Sequence, residues 1–243
     1  MRICVAQMQP VKGDVERNID RHLTLMELAI AARADTVIFP ELSVTGYEPE
    51  LASALATDQD DHRFNVFQAV SDAYQLTIGV GMPLRSELGL RIGMLIFAPN
   101  QPRQTYAKQH LHPDEYPYFV PGDQPGLIPG KANKMSLAIC YEVSIPEHAE
   151  MAYKSGTDIY VASVAKSAAG VEKAGKNLSD IANTYGMTVL MANSIGPSDN
   201  FVGGGSSAIW NKKGLLIGQL DDINEGILLI DTETPELISQ YAK

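Results

Sequence analysis

The stretch Lys134-Met135-Ser136-Leu137-Ala138-Ile139-Cys140-Tyr141-Glu142 most narrows what this chain can fold into. Leu137, Ala138 and Ile139 form an uninterrupted apolar run, the pattern of a strand covered on both faces. The run stops at Cys140, and Pro146 suits the first turn of a helix, where its missing N–H has no partner to lose. Such a strand, followed by a helix, belongs in a layered α/β domain. A thiol at that junction meets backbone N–H groups and the positive end of the helix dipole, which bias it toward thiolate. A small buried core residue is the other reading of a lone cysteine. Cys140 is therefore judged by its companions.

The same pattern recurs along the chain. Residues 2–8 read as a buried strand. Asp14 offers an N-cap, and Val15, Ile19, Leu23, Met26 and Ile30 carry a helical period toward Arg33. Residues 35–39 form a short strand stopped by Pro40, with Glu41 directly behind. A helix is expected around 60–75, then strands at 76–83 and 91–98 joined through Ser86-Glu87-Leu88-Gly89, and a strand at 104–107 ending at Lys108. Residues 109–129 form a long proline-punctuated loop, with Tyr116, Tyr118 and Phe119 arguing against disorder. Further helices are expected at 146–155 and 170–186, the second closed by Gly186, and strands at 158–163 and 187–193. Residues 194–205 read as a glycine-rich loop. A hairpin across Asn211-Lys212-Lys213-Gly214 and a strand at 226–231 follow. Thr234-Pro235-Glu236 reads as the opening of a short C-terminal helix.

No repeat and no linker divides the 243 residues, so one α/β domain over 1–243 with mixed strand connections is expected. The formal net charge of −10 and the lack of a basic run argue against nucleic acid. Two cysteines, Cys4 and Cys140, make neither a disulfide framework nor a metal cluster, which fits a reducing cytoplasm. Met1 leads straight into a strand-like segment with no apolar signal region, and no apolar run is long enough to span a membrane.

Glu41, Lys108 and Cys140 each sit at the end of a strand-like run. In open α/β sheets such ends converge and hold ligands. A thiol, a carboxylate and an ammonium together suit acyl transfer. The carboxylate takes the thiol proton, the thiolate attacks carbon, and the ammonium steadies the developing charge. Taken singly, Glu41 also reads as a capping or solvated carboxylate and Lys108 as a surface cation. Among the histidines, His22 and His62 read as solvated helix residues and His148 as lying on an exposed helix face. His110 and His112 are placed to line a pocket.

Phe39-Pro40-Glu41-Leu42-Ser43-Val44-Thr45-Gly46-Tyr47, Tyr106-Ala107-Lys108-Gln109-His110-Leu111, and Leu137-Ala138-Ile139-Cys140-Tyr141-Glu142 with Pro146-Glu147 resemble, in order and spacing, the three motifs of the nitrilase superfamily, the carbon–nitrogen hydrolases. Asn18, Pro121-Gly122-Asp123, Ala192-Asn193 and Gly205-Ser206-Ser207 agree as well. The resemblance implies a four-layer α-β-β-α sandwich with Cys140 as nucleophile, Glu41 as general base and Lys108 as oxyanion stabiliser. It also implies Glu115 as a second glutamate beside the lysine, and substrate contacts from Tyr47 and Tyr141, the latter through its N–H. No metal or organic cofactor and a homo-oligomeric assembly are implied. The expected partner is a small linear amide, cleaved to acid and ammonia through a thioester. An N-carbamoyl compound or a nitrile is the alternative, and a non-catalytic metabolite-binding relative stands behind both. The sequence departs from the family pattern at Lys166, where relatives usually carry an aromatic. Lys166 is expected either to enter the pocket and meet an anionic or carbonyl group, or to face solvent.

Overall fold

The apolar runs form strands, and successive side chains in each run enter different layers. The computed structural model describes residues 1–128, 134–234 and 236–242. In chain order these form β1 (Arg2–Gln7), α1 (Val15–Ala31), β2 (Thr36–Ile38), α2 (Ala52–Leu55), α3 (Asn65–Tyr74), β3 (Thr77–Ser86), β4 (Gly89–Phe97), β5 (Gln104–Ala107), β6 (Leu127–Ile128) and β7 (Met135–Ile139). There follow α4 (Pro146–Lys154), β8 (Ile159–Val164), α5 (Ala168–Tyr185), β9 (Thr188–Asn193), β10 (Ile195–Ser198), β11 (Phe201–Gly204), β12 (Ala208–Trp210), β13 (Leu216–Gln219), β14 (Gly226–Asp231) and β15 (Leu237–Tyr241).

Two large sheets carry the fold. One runs β15-β14-β1-β2-β3-β4-β5 and the other β13-β12-β9-β8-β7-β6. β1, β2 and β3 are parallel neighbours, as are β7, β8 and β9, while the outer strands pair antiparallel. Strand alternation then sorts the core into three slabs. Cys4 and Ala6 of β1 pack with Leu25, Met26 and Ala29 of α1. Ile3 and Val5 pack instead with Leu137, Val161 and Leu190 of the opposite sheet. Tyr160 and Ala162 of β8 face Leu178 and Ala182 of α5. The layers are therefore helix, sheet, sheet, helix, which is why the central strands are apolar on both faces. No described helix is long and apolar enough to cross a membrane.

Three of the capping predictions hold. Asp14 accepts a hydrogen bond from the Arg17 N–H, Pro146 occupies the first turn of α4, and Gly186 closes α5 in the left-handed region. Two regions differ. Residues 237–241 form β15, antiparallel to β14, rather than a C-terminal helix. Five residues make a helix too short to hold itself, whereas pairing with β14 satisfies the strand's polar backbone and sets Ile238 against the core. Pro235 lies outside the described residues. Residues 195–204 form a β10–β11 hairpin rather than an irregular loop, turning at Asp199 with φ 34°.

Candidate active site

Glu41 follows β2 after Phe39 and Pro40, and the loop that carries it is held from three directions. Ser163 of β8 donates its hydroxyl to the Phe39 carbonyl at 2.8 Å, tying the loop to the second sheet. Asn18 of α1 donates to the Val44 carbonyl at 2.9 Å and exchanges two further hydrogen bonds with Val11. On the third side, Gly81 of β3 passes so close that an added Cβ would lie 2.3 Å from the Leu42 nitrogen. Only glycine fits there. The Gly81 N–H donates to the Ser43 hydroxyl oxygen at 3.2 Å.

His22 completes this support and is fully buried, not solvated. The Asn18 carbonyl, 2.6 Å from Nδ1, can only accept, so Nδ1 carries the proton and Nε2 accepts from the Ser43 hydroxyl at 2.9 Å. Burial pushes its pKa down to about 4, so the ring is neutral. His148 is also buried, against the expectation of an exposed face. Its Nδ1 is hydrogen-bonded to the Tyr160 hydroxyl at 2.8 Å, and Nε2 lies 3.2 Å from the Tyr106 hydroxyl. His62 is exposed as expected.

Lys108 follows β5 and is entirely buried. Gly122 donates its N–H to the Lys108 carbonyl at 2.7 Å, and a Cβ there would strike the Ala107 carbonyl oxygen at 2.3 Å. The Lys108 Nζ donates to Glu41 Oε1 at 2.7 Å and to Glu115 Oε1 at 2.6 Å. Glu115 also accepts from the Tyr47 hydroxyl at 2.9 Å and, through Oε2, from the His112 N–H at 2.8 Å. Burial alone would push the Lys108 ammonium down. Glu41, Cys140 and Glu115 more than offset that and hold it above its ordinary range. Burial pushes the Glu41 carboxyl up, with Lys108 opposing and Glu115 reinforcing the shift. Glu41 Oε2 is buried and, among the described residues, has no hydrogen-bond partner.

Cys140 directly follows β7 in the left-handed region, with φ 46°, and opens a 3-10 turn over Cys140–Ser144 before α4 begins. Its side chain lies near enough to interact with the Glu41 carboxyl. The structure thus brings together Glu41, Lys108, Glu115 and Cys140, residues spread over a hundred positions. It departs from the sequence reading in one respect. The thiol is not biased toward thiolate at rest. Burial and the Glu41 charge push it up, and Lys166 and Lys108 oppose them only in part. The helix that was expected to polarise it starts several residues further on. Tyr47, His112, Tyr141, Lys166 and Phe201 line a cavity of about 310 Å³ above the sulfur.

Sequence reasoning missed the part played by Glu142. This fully buried carboxylate accepts from the Ile139 N–H at 2.7 Å and the Tyr106 hydroxyl at 2.8 Å through Oε2, and from the Gln109 N–H at 2.6 Å through Oε1. It bolts the cysteine turn to the strand and loop that carry Lys108. An acid two residues beyond an apolar run was the available signal. Among the described residues, no three His, Cys, Asp or Glu side chains are arranged to hold a metal ion.

An α-β-β-α frame that gathers a thiol, a carboxylate and an ammonium around one small cavity is the equipment of a hydrolase. The sequence pattern of the Carbon-nitrogen hydrolase family matches residues 2–242, and the chain belongs to that family. The chain is 26% identical over 247 residues to the glutamine-dependent NAD(+) synthetase of Aquifex aeolicus, spanning 97% of this chain and 43% of that protein. It spans less than half the length of the first curated relatives it matches. The hydrolase in the agr operon of Staphylococcus aureus is 25% identical over 249 residues, covering 99% of this chain and 94% of that protein. An amidase of Nesterenkonia sp. AN1, solved with butyramide, superposes with a TM-score of 0.87 at 24% identity, covering 97% of this chain and 91% of that one. At that identity the likeness shows the fold.

Proposed function

We propose that residues 1–243 act as one catalytic unit that hydrolyses a small linear amide to its acid and ammonia through a thioester on Cys140. The observation that carries this reading is the buried Glu41 carboxyl: Lys108 holds Oε1, Oε2 has no hydrogen-bond partner among the described residues, and the carboxyl lies close enough to Cys140 to interact with it. Glu41 Oε2 takes the thiol proton as Sγ bonds to the amide carbon. Of the three N–H donors of Lys108, two are spent on Glu41 and Glu115, which leaves the third for the new oxyanion. The Tyr141 N–H, in the first turn of the 3-10 segment, supplies a second donor. Glu41 then passes its proton to the departing nitrogen, ammonia leaves, and Glu41 deprotonates the water that releases the acid. Glu115 holds Lys108 in place, and Tyr47 fixes Glu115 from the cavity side.

The decisive experiment measures ammonia release across neutral amides, acid amides, glutamine, N-carbamoyl amines and nitriles. The reading expects turnover of amides above the other classes. Turnover confined to carbamoyl compounds or nitriles overturns it. Glutamine belongs in the panel because the matched NAD(+) synthetases are glutamine-dependent. Turnover restricted to glutamine would favour an ammonia-supplying role beside a separate acceptor.

A further inference from the structure

The hydrolytic scheme leaves one cation in the cavity wall unused. Lys166 follows β8 through Ala165, whose carbonyl lies 3.8 Å from Cys140 Sγ. Its peptide is gripped on both sides by the buried Asn193 side chain. Asn193 Oδ1 accepts from the Lys166 N–H at 2.9 Å, and Asn193 Nδ2 donates to the Lys166 carbonyl at 3.1 Å. The Gly204 N–H donates to the same carbonyl at 2.8 Å. The side chain therefore springs from backbone fixed to the middle of a sheet, not from a free loop. It is half-buried at the cavity wall.

Among the described residues no carboxylate forms an ion pair with the Lys166 ammonium. The acids nearby are committed elsewhere: Glu41 and Glu115 to Lys108, and Asp114 to His112. Asp199 sits exposed at the rim. The first turn of α5, which opens on the same wall, contains no acidic side chain, so its positive end adds to the same sign of field. The Lys166 ammonium thus adds a positive charge to the cavity wall that no carboxylate of the described residues pairs with, a partner for an anionic group on a ligand.

We propose that Lys166 receives a carboxylate at the far end of the substrate, so that the preferred substrates are short linear acid amides. This rests on the amidase reading and narrows it. Lys166 is the residue after Ala165, whose carbonyl lies 3.8 Å from Cys140 Sγ, and this closeness favours a short chain between amide and carboxylate.

Two measurements test it. The first needs no turnover. Bromoacetylglycine and its neutral glycinamide counterpart both alkylate Cys140, the sulfur displacing bromide, and intact-mass spectrometry gives the two rates. The expected ratio of acid to neutral reagent falls about tenfold in Lys166→Gln and is restored in Lys166→Arg. An unchanged ratio overturns the proposal, whatever the enzyme hydrolyses. The second compares kcat/KM for succinamate and butyramide, which differ in a terminal carboxylate against a methyl group. The expected preference for succinamate falls about tenfold in Lys166→Gln, chiefly through KM. A lysine that only tunes the thiol lowers both amides by one factor, and that result overturns the proposal. Failure of the amidase reading is distinguishable, because it abolishes both turnovers while leaving the alkylation ratio.

Discussion

Replacing Lys108 by methionine keeps the volume of the buried side chain and removes the charge between two carboxylates. Glu41 Oε1 and Glu115 Oε1 both lie within hydrogen-bond distance of the one nitrogen. Without it they face each other across a buried gap. Two like charges roughly 5 Å apart repel by about 3 kcal/mol at an effective dielectric near 20. The variant escapes this by taking up a proton. At pH 7 that costs about 3.7 kcal/mol for a carboxyl with an ordinary unfolded pKa near 4.3, and about 1 kcal/mol at pH 5. The sign follows from linkage. A carboxyl whose folded pKa is raised favours the folded state at low pH and loses that contribution as pH rises through the folded value. Urea unfolding of wild type and Lys108→Met should therefore differ by about 3–4 kcal/mol at pH 7 and by about 1 kcal/mol at pH 5. For a chain of this length the pH 7 deficit lowers Tm by roughly 6–16 °C. A deficit under about 1 kcal/mol at pH 7, or one that does not shrink on acidification, would refute the charge cluster as described.

Three other outcomes follow from the geometry. His22 should contribute a fall in unfolding free energy of at most about 1.4 kcal/mol per unit as pH drops from about 6.5 to 4, because the unfolded chain protonates it before the folded one does. His22→Gln should show a correspondingly shallower fall than wild type, the remainder belonging to groups such as the buried His148, and an equal slope in both proteins would mean the His22 ring is not held neutral. Glu142→Gln should cost about 2–4 kcal/mol by urea unfolding, since the amide cannot accept at both ends of its carboxyl, and should lower kcat as the cysteine turn loosens from the Lys108 loop. Glu41→Gln should lower kcat by at least about a hundredfold in an ammonia assay, since the thiol is pushed up at rest and the proposed mechanism assigns its deprotonation to that carboxylate.

Much of this arrangement is visible in the sequence because parallel strands buried on two faces write themselves as plain apolar runs. Each run ends one to three residues before the residue that enters the site, which is how Glu41, Lys108 and Cys140 stand out. What the sequence hides depends on tertiary partners. The helical stripe through Val15, Ile19, Leu23, Met26 and Ile30 points to a face rotated from the real one. The buried row of α1 includes Asn18 and His22, polar residues that a hydrophobic count reads as solvent-facing. Both are satisfied by the Glu41 loop, which lies far along the chain. His148 misleads in the same way, since Tyr106 and Tyr160 supply its partners. At the C-terminus, Thr234-Pro235 carries a local helix signal that the open edge of β14 overrides. The state of the Cys140 thiol is hidden from the sequence because position at a strand end is legible, while burial and the adjacent Glu41 charge are not.

The most direct measurement of the central claim is intact-mass spectrometry of the protein quenched during turnover of an amide, with peptide mapping of any adduct. The account predicts an acyl group confined to Cys140, formed with release of one ammonia and lost to water, and neither adduct nor turnover in Cys140→Ala. Ammonia release without an adduct, together with retained turnover in Cys140→Ala, would contradict it.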